Sequence, residues 1–144
     1  MKHTGRLYAI FHTLLVAGIA VLVGGCGQEP FSIPERKICA QIDGSGNPVD
    51  ARETFSAADS TVYVWFRYSG AKPSQVAKVK VQYKDPIGVE STEETQTELK
   101  AGSGSASAQL NPPEGQGLAP GTYIVEVMNE SDIAYGGPMT FRVE

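Results

Sequence analysis

Between residues 76 and 83 apolar and polar positions alternate. Ala77, Val79, Val81 and Tyr83 fall on one side and Val76, Lys78, Lys80 and Gln82 on the other, which predicts a strand with one buried and one mostly wetted face. Stretches of similar length recur at 38–42, 61–68, 92–100, 105–110, 122–128 and 139–143, with a further short one near Ile133, so the chain reads as seven or eight strands. Glycine and proline gather between these stretches, in runs at 43–48, 69–73, 84–88 and 101–104 whose Asp, Asn, Ser, Gly and Pro are turn formers. Only 50–59 reads as a helical turn. About a hundred residues of evenly punctuated short strands predict an all-β fold, an antiparallel sandwich of about seven strands.

The first 25 residues follow no such alternation. A cationic start with Lys2 and Arg6 leads into an apolar run densest from Leu14 to Val23 and ends on Gly24 and Gly25, the layout of a secretory signal. An uncleaved membrane helix is the competing reading, since about 20 apolar residues cross a bilayer, but His12, Thr13 and the glycine pair weaken it. Val23-Gly24-Gly25-Cys26 resembles the lipobox of bacterial lipoproteins. The resemblance implies that Cys26 becomes the acylated first residue of the mature chain, whose partner is then membrane lipid. Each buried acyl CH₂ contributes about 0.8 kcal/mol, so several chains on one residue suffice to anchor a protein. Gly27 and Gln28 stand where the family's inner-membrane retention signal would place Asp, which implies outer-membrane sorting, facing the periplasm or the cell surface, in a host with two membranes. The expected organisation is a signal peptide over 1–25, a lipidated Cys26 and extended tether over 26–36, and one domain over 37–144.

Without its leader the chain carries 10 basic and 16 acidic side chains. An acidic domain lacks the basic stripe that follows a phosphate backbone, so no nucleic-acid partner is expected. Both histidines, His3 and His12, lie in the leader, which removes imidazole from catalysis and from metal ligation in the mature protein. No cofactor, metal site or catalytic residue is expected, and the chain reads as a non-enzyme. Cys39, the one thiol left once Cys26 is acylated, is either a buried inert side chain between Ile38 and Ala40 or half of an intermolecular disulfide.

The stretch Leu118-Ala119-Pro120-Gly121-Thr122-Tyr123-Ile124-Val125 resembles the strand entry of bacterial immunoglobulin-like and fibronectin type III-like domains, and Met139-Thr140-Phe141-Arg142-Val143-Glu144 resembles their last strand. The resemblance implies that Tyr123 bonds back to the corner before it and that the two strands pair. Leu118 and Tyr123 stand one residue closer than in the fibronectin type III pattern.

Several fragments of chemistry occur without their companions. Ser69-Gly70-Ala71-Lys72 has the S-x-x-K spacing but Pro73 follows at once and the partner motifs are missing. Asp43, Ser45 and Asn47 begin like a calcium loop, yet Pro48 and Thr54 stand where such a loop needs Gly and Glu. Glu90, Glu93, Glu94 and Glu98 crowd one strand among Ser, Thr and Gln, as solvated charges that blunt a sheet edge. Gly102-Ser103-Gly104-Ser105 reads as a flexible loop. The stretch 61–68 is apolar on both faces. Val62, Val64 and Phe66 fill a core without polar atoms, whereas Arg67 would be costly there, so Tyr63, Trp65 and Arg67 are expected on the outer face as an exposed candidate binding patch. Burial of Trp65 under a loop or under the tether near Phe31 is the alternative. The expected role is a lipid-anchored, non-catalytic interaction or structural module of the cell envelope with a protein or glycan partner. A carbohydrate- or peptidoglycan-binding lipoprotein using exposed aromatics is the alternative, and an envelope hydrolase the weakest reading.

Overall fold

The computed structural model describes residues 27, 29–111 and 117–144. The signal segment, its lipobox residues Val23, Gly24 and Gly25, and Cys26 lie outside the described residues. Nine strands follow in chain order: β1 (Ser32–Ile42), β2 (Pro48–Ala51), β3 (Thr54–Phe55), β4 (Val62–Ala71), β5 (Val76–Lys84), β6 (Glu90–Glu98), β7 (Gly102–Leu110), β8 (Gly121–Asn129) and β9 (Met139–Val143). They form two sheets, ordered β2-β1-β4-β7 and β3-β9-β8-β5-β6, and every pairing is antiparallel except the short parallel contact of β3 with β9. No helix occurs among the described residues. The fold is the all-β sandwich expected from the alternation, with nine strands in place of seven or eight.

The core lies where the inward-facing sets of the two sheets meet. On β4, Val62, Val64, Phe66 and Tyr68 are all buried, and β5 and β8 oppose them with Ala77, Val79, Val81, Val125 and Val127. Across the inner face of the larger sheet runs a row of rings. Tyr83 and Tyr123 have centroids 4.9 Å apart, Tyr123 stacks on Phe141 at 4.6 Å, and Phe141 meets Phe55 edge-on at 5.4 Å. The corner that the resemblance implies is present: Tyr123 Oη donates to Ala119 O at 2.9 Å, and the β8–β9 pairing sets Tyr123 opposite Phe141.

Four local expectations are corrected. Gly102-Ser103-Gly104-Ser105 is not a loop but the start of β7, because its register with β4 places Gly104 opposite Tyr68, Ala106 opposite Phe66 and Ala108 opposite Val64. Small residues make a strand there because the large neighbours fill the layer. β1 begins at Ser32, inside the stretch read as tether, since a register shift between Ser32 and Glu35 turns Ile33 into the core and Ser32 pairs with Ser69. The stretch 50–59 is not a helix: 50–51 and 54–55 are strand, and only 56–59 closes a turn, with Asp59 N donating to Ser56 O at 2.9 Å. Its Phe55 is 2 % exposed in the core, and the Arg52 guanidinium lies 4.6 Å from the Phe55 ring and pairs with Asp50 and Asp59. Ile133 sits in a turn closed by Asn129 Oδ1, which accepts from Ser131 N and Ile133 N, next to a single bridge between Met128 and Ala134.

Phe66 and Phe141 are 0 % and 1 % exposed. Phe66→Ala or Phe141→Ala in a soluble fragment starting at Glu29 is expected to cost about 3–5 kcal/mol in urea unfolding, with a smaller loss for Tyr83→Ala, whose ring is half-buried.

Candidate functional site

The outer face of the β2-β1-β4-β7 sheet carries the three residues singled out as a binding patch. Register places Lys37 opposite Trp65, Glu35 opposite Arg67 and Cys39 opposite Tyr63, so the side assignment of Tyr63, Trp65 and Arg67 holds. The expected exposure does not. Tyr63 is half-buried and Arg67 is exposed, while Trp65 is 2 % exposed on the outer side of the sheet.

Its cover has two parts. The β1–β2 connection folds back over the sheet, so that Trp65 Nε1 donates to Gly46 O at 2.8 Å and Ser105 Oγ reaches the same carbonyl at 3.4 Å. A charged clasp completes it. Glu35 takes the Lys37 ammonium at 2.8 Å and Arg67 at 3.4 Å, and those cations stand 5.8 and 5.7 Å from the Trp65 ring. Hydrogen bonding from Lys37, reinforced by the charges of Lys37 and Arg67 against some desolvation, holds the Glu35 carboxyl below its ordinary value. The connection is itself fastened by Asp43, whose Oδ1 accepts from Ser45 N at 2.9 Å and Asn47 N at 2.8 Å. Those bonds, led by the Asn47 N–H, also lower the Asp43 carboxyl. The carboxylate that would lead a calcium loop is therefore spent on the turn itself. Gly46, Glu35 and Lys37 were not singled out from sequence, because only strand register and a folded-back loop bring them to Trp65.

Cys39 is 0 % exposed on this same outer side, and burial pushes its thiol up from the ordinary value, which keeps it protonated and inert. The other fragments of chemistry stay apart. Ser69 Oγ lies 2.8 Å from Ser32 Oγ, while Lys72 occupies an exposed turn beyond Ala71. Along β6 the carboxylates divide between faces: Glu90 meets Lys84 at 3.5 Å and Glu94 meets Lys78 at 3.7 Å on the outer side, with Glu93 on the inner side opposite Val81. Glu93 and Ser91 rim an inter-sheet cavity of about 210 Å³ floored by Val81, Leu110, Leu118 and Tyr123. Burial, followed by the neighbouring Tyr83, pushes Tyr123 up to about 12, so its hydroxyl stays a neutral donor to Ala119 O.

Native tryptophan emission is expected near the blue limit, with little acrylamide quenching. Asp43→Ala, which frees the N–H groups of Ser45 and Asn47, is expected to shift it to the red. Trp65→Phe leaves the Gly46 carbonyl only the longer Ser105 Oγ contact and is expected to cost about 1–2 kcal/mol in denaturant unfolding. Acidification acts in the same direction as Asp43→Ala. The folded-state value of Asp43 is depressed, so its contribution is complete above the unfolded carboxyl value of about 3.9 and is lost as pH falls through the lower folded one. Cys39 is expected to react with a thiol reagent only after unfolding.

No protein-family profile and no curated protein sequence matches the chain. Solved structures do resemble it. An immunoglobulin-like protein from Pseudomonas aeruginosa superposes with a TM-score of 0.61 at 14% identity, over 82% of this chain and 99% of that one. The alkylpurine DNA glycosylase AlkC of Pseudomonas fluorescens, bound to DNA containing an abasic site analog, superposes with a TM-score of 0.53 at 11% identity, over 79% of this chain but 30% of its own. At such identities the likeness is one of fold, and the fold of this chain is an immunoglobulin-like β-sandwich.

Proposed function

We propose that the protein is a lipid-anchored, non-catalytic interaction module of the bacterial cell envelope, held by acylated Cys26 and recognising another envelope protein. The anchor rests on the lipobox Val23-Gly24-Gly25-Cys26 and the signal before it. The observation that carries the interaction reading is the β5–β6 hairpin. β6 is a nine-residue edge strand in unbroken register with β5, exposed on nearly its whole length and paired on one side only among the described residues. Its turn is rigid, since Asp85 Oδ1 accepts from Ile87 N at 3.0 Å and from Val89 N at 2.7 Å, and it presents Ile87 at 87% and Val89 at 59% exposure. A preorganised apolar tip beside an open edge supplies contact area with little ordering cost. Covering Trp65 removes the flat ring on which a sugar would stack, which turns the reading from glycan to protein.

Intact mass spectrometry of the membrane fraction is expected to find a chain starting at residue 26 with acyl mass added, and Cys26→Ser is expected to leave that fraction. A photo-crosslinking residue in place of Ile87 is expected to trap a discrete protein in the native envelope, whereas one in place of Gln109 on β7 is not. Binding on a glycan array without any crosslink from Ile87 would overturn the protein-partner reading.

A further inference from the structure

The segment between the acylation site and the sandwich is short, and most of it is already packed. The Glu29 and Pro30 carbonyls lie against Gly70 so closely that a Cβ on Gly70 would stand 2.7 Å from Pro30 O, and Gly70 has φ +68°, a conformation that favours glycine. Phe31 then meets Tyr135 edge-on at 5.0 Å, Ser32 Oγ meets Ser69 Oγ at 2.8 Å, and Ile33 is 8% exposed in the core. These contacts fasten the chain to one end of the sandwich from Glu29 onward. Only three peptide steps separate Cys26 from Glu29, a reach of at most about 11 Å, where a free tether over 26–36 would reach about 36 Å. The first length is a leash on one end of the domain, and the second would let the domain tumble.

Resting on the anchored reading above, we propose that this packed tether orients the sandwich on the bilayer, with the end formed by the β4–β5 and β8–β9 connections against the lipid headgroups and the Ile87 turn held away from them. The near end is defined by the residues gathered around Glu29, Pro30 and Phe31, namely Lys72, Gln75 and Glu130, with Gln75 O accepting from Leu99 N at 2.8 Å to bring in the β6–β7 connection. β5 starts there at Val76 and ends at Lys84, so the Ile87 turn lies a strand length of about 27 Å further on. Electrostatics does not provide this orientation. Lys72 shares its groove at the near end with two acids, Glu29 and Glu130, and Lys78 is engaged by Asp132 at 2.8 Å.

The test uses the full acylated chain in phosphatidylcholine vesicles. With Cys26 acylated and Cys39 fully buried, a fluorophore goes only to a new cysteine, either Ser131→Cys at the near end or Ile87→Cys at the far one. Energy transfer to acceptor-labelled headgroups is expected to be about two-fold or more greater from position 131 than from 87, given a strand length between them. Ten Gly/Ser residues inserted between Gln28 and Glu29 are expected to erase that difference. Gly70→Ala is expected to reduce it by displacing the tether, while the insertion leaves the sandwich untouched should Gly70→Ala fail to fold. Equal transfer from both positions on a chain whose mass shows the acyl group, or a difference unaffected by the insertion, would overturn the orientation and leave the anchor standing. A chain without acyl mass would overturn the anchor, and the orientation with it.

Discussion

β4 is apolar on both faces, and a two-layer sandwich covers only one of them. The inner set, Val62, Val64, Phe66 and Tyr68, meets the opposing sheet, but Trp65 on the other side needs a cover of its own. The β1–β2 connection provides it by folding back until Gly46 O accepts from the indole N–H, and the Glu35, Lys37 and Arg67 side chains close over what is left. The indole polar atom is thus satisfied and the ring leaves water, without a third layer of secondary structure. Cys39, paired between Ala51 and Tyr63 on the same outer side, is buried as well, and burial pushes its thiol up.

Closing that face leaves the open edge of the other sheet as the more accessible surface. With five strands against four, the larger sheet ends in β6, whose composition of Glu, Ser, Thr and Gln suits a strand wetted on both sides. The Glu90–Lys84 pair is exposed and contributes little to stability, while Glu94 reaches a largely covered Lys78, and like charges along the edge discourage two copies from pairing there. The same hairpin ends in the exposed Ile87 and Val89. At the opposite end Glu29 and Pro30 are drawn onto Gly70, so the end where the chain enters the sandwich and the apolar tip are separated by the length of β5.

The all-β class, the faces of β4 and β5, the corner at Tyr123 and the pairing of the last two strands were legible in the chain, because each depends on period-two alternation or on a local turn. The anchor expectation rests on a contiguous run of residue types that lies outside the described residues. What alternation cannot express is the neighbour across the sheet or above it. Gly102-Ser103-Gly104-Ser105 has the composition of a loop and is a strand because β4 supplies the bulk beside it. Thr54–Phe55 is a strand because the Phe55 ring fits against Phe141. Trp65 lies on the face its sequence indicates and is buried because Gly46, 19 residues away in sequence, returns to it. Residue types along the chain determined which side each group points to. Only the tertiary structure decided what covers it, since burial is a property of the atoms that arrive from elsewhere in the chain.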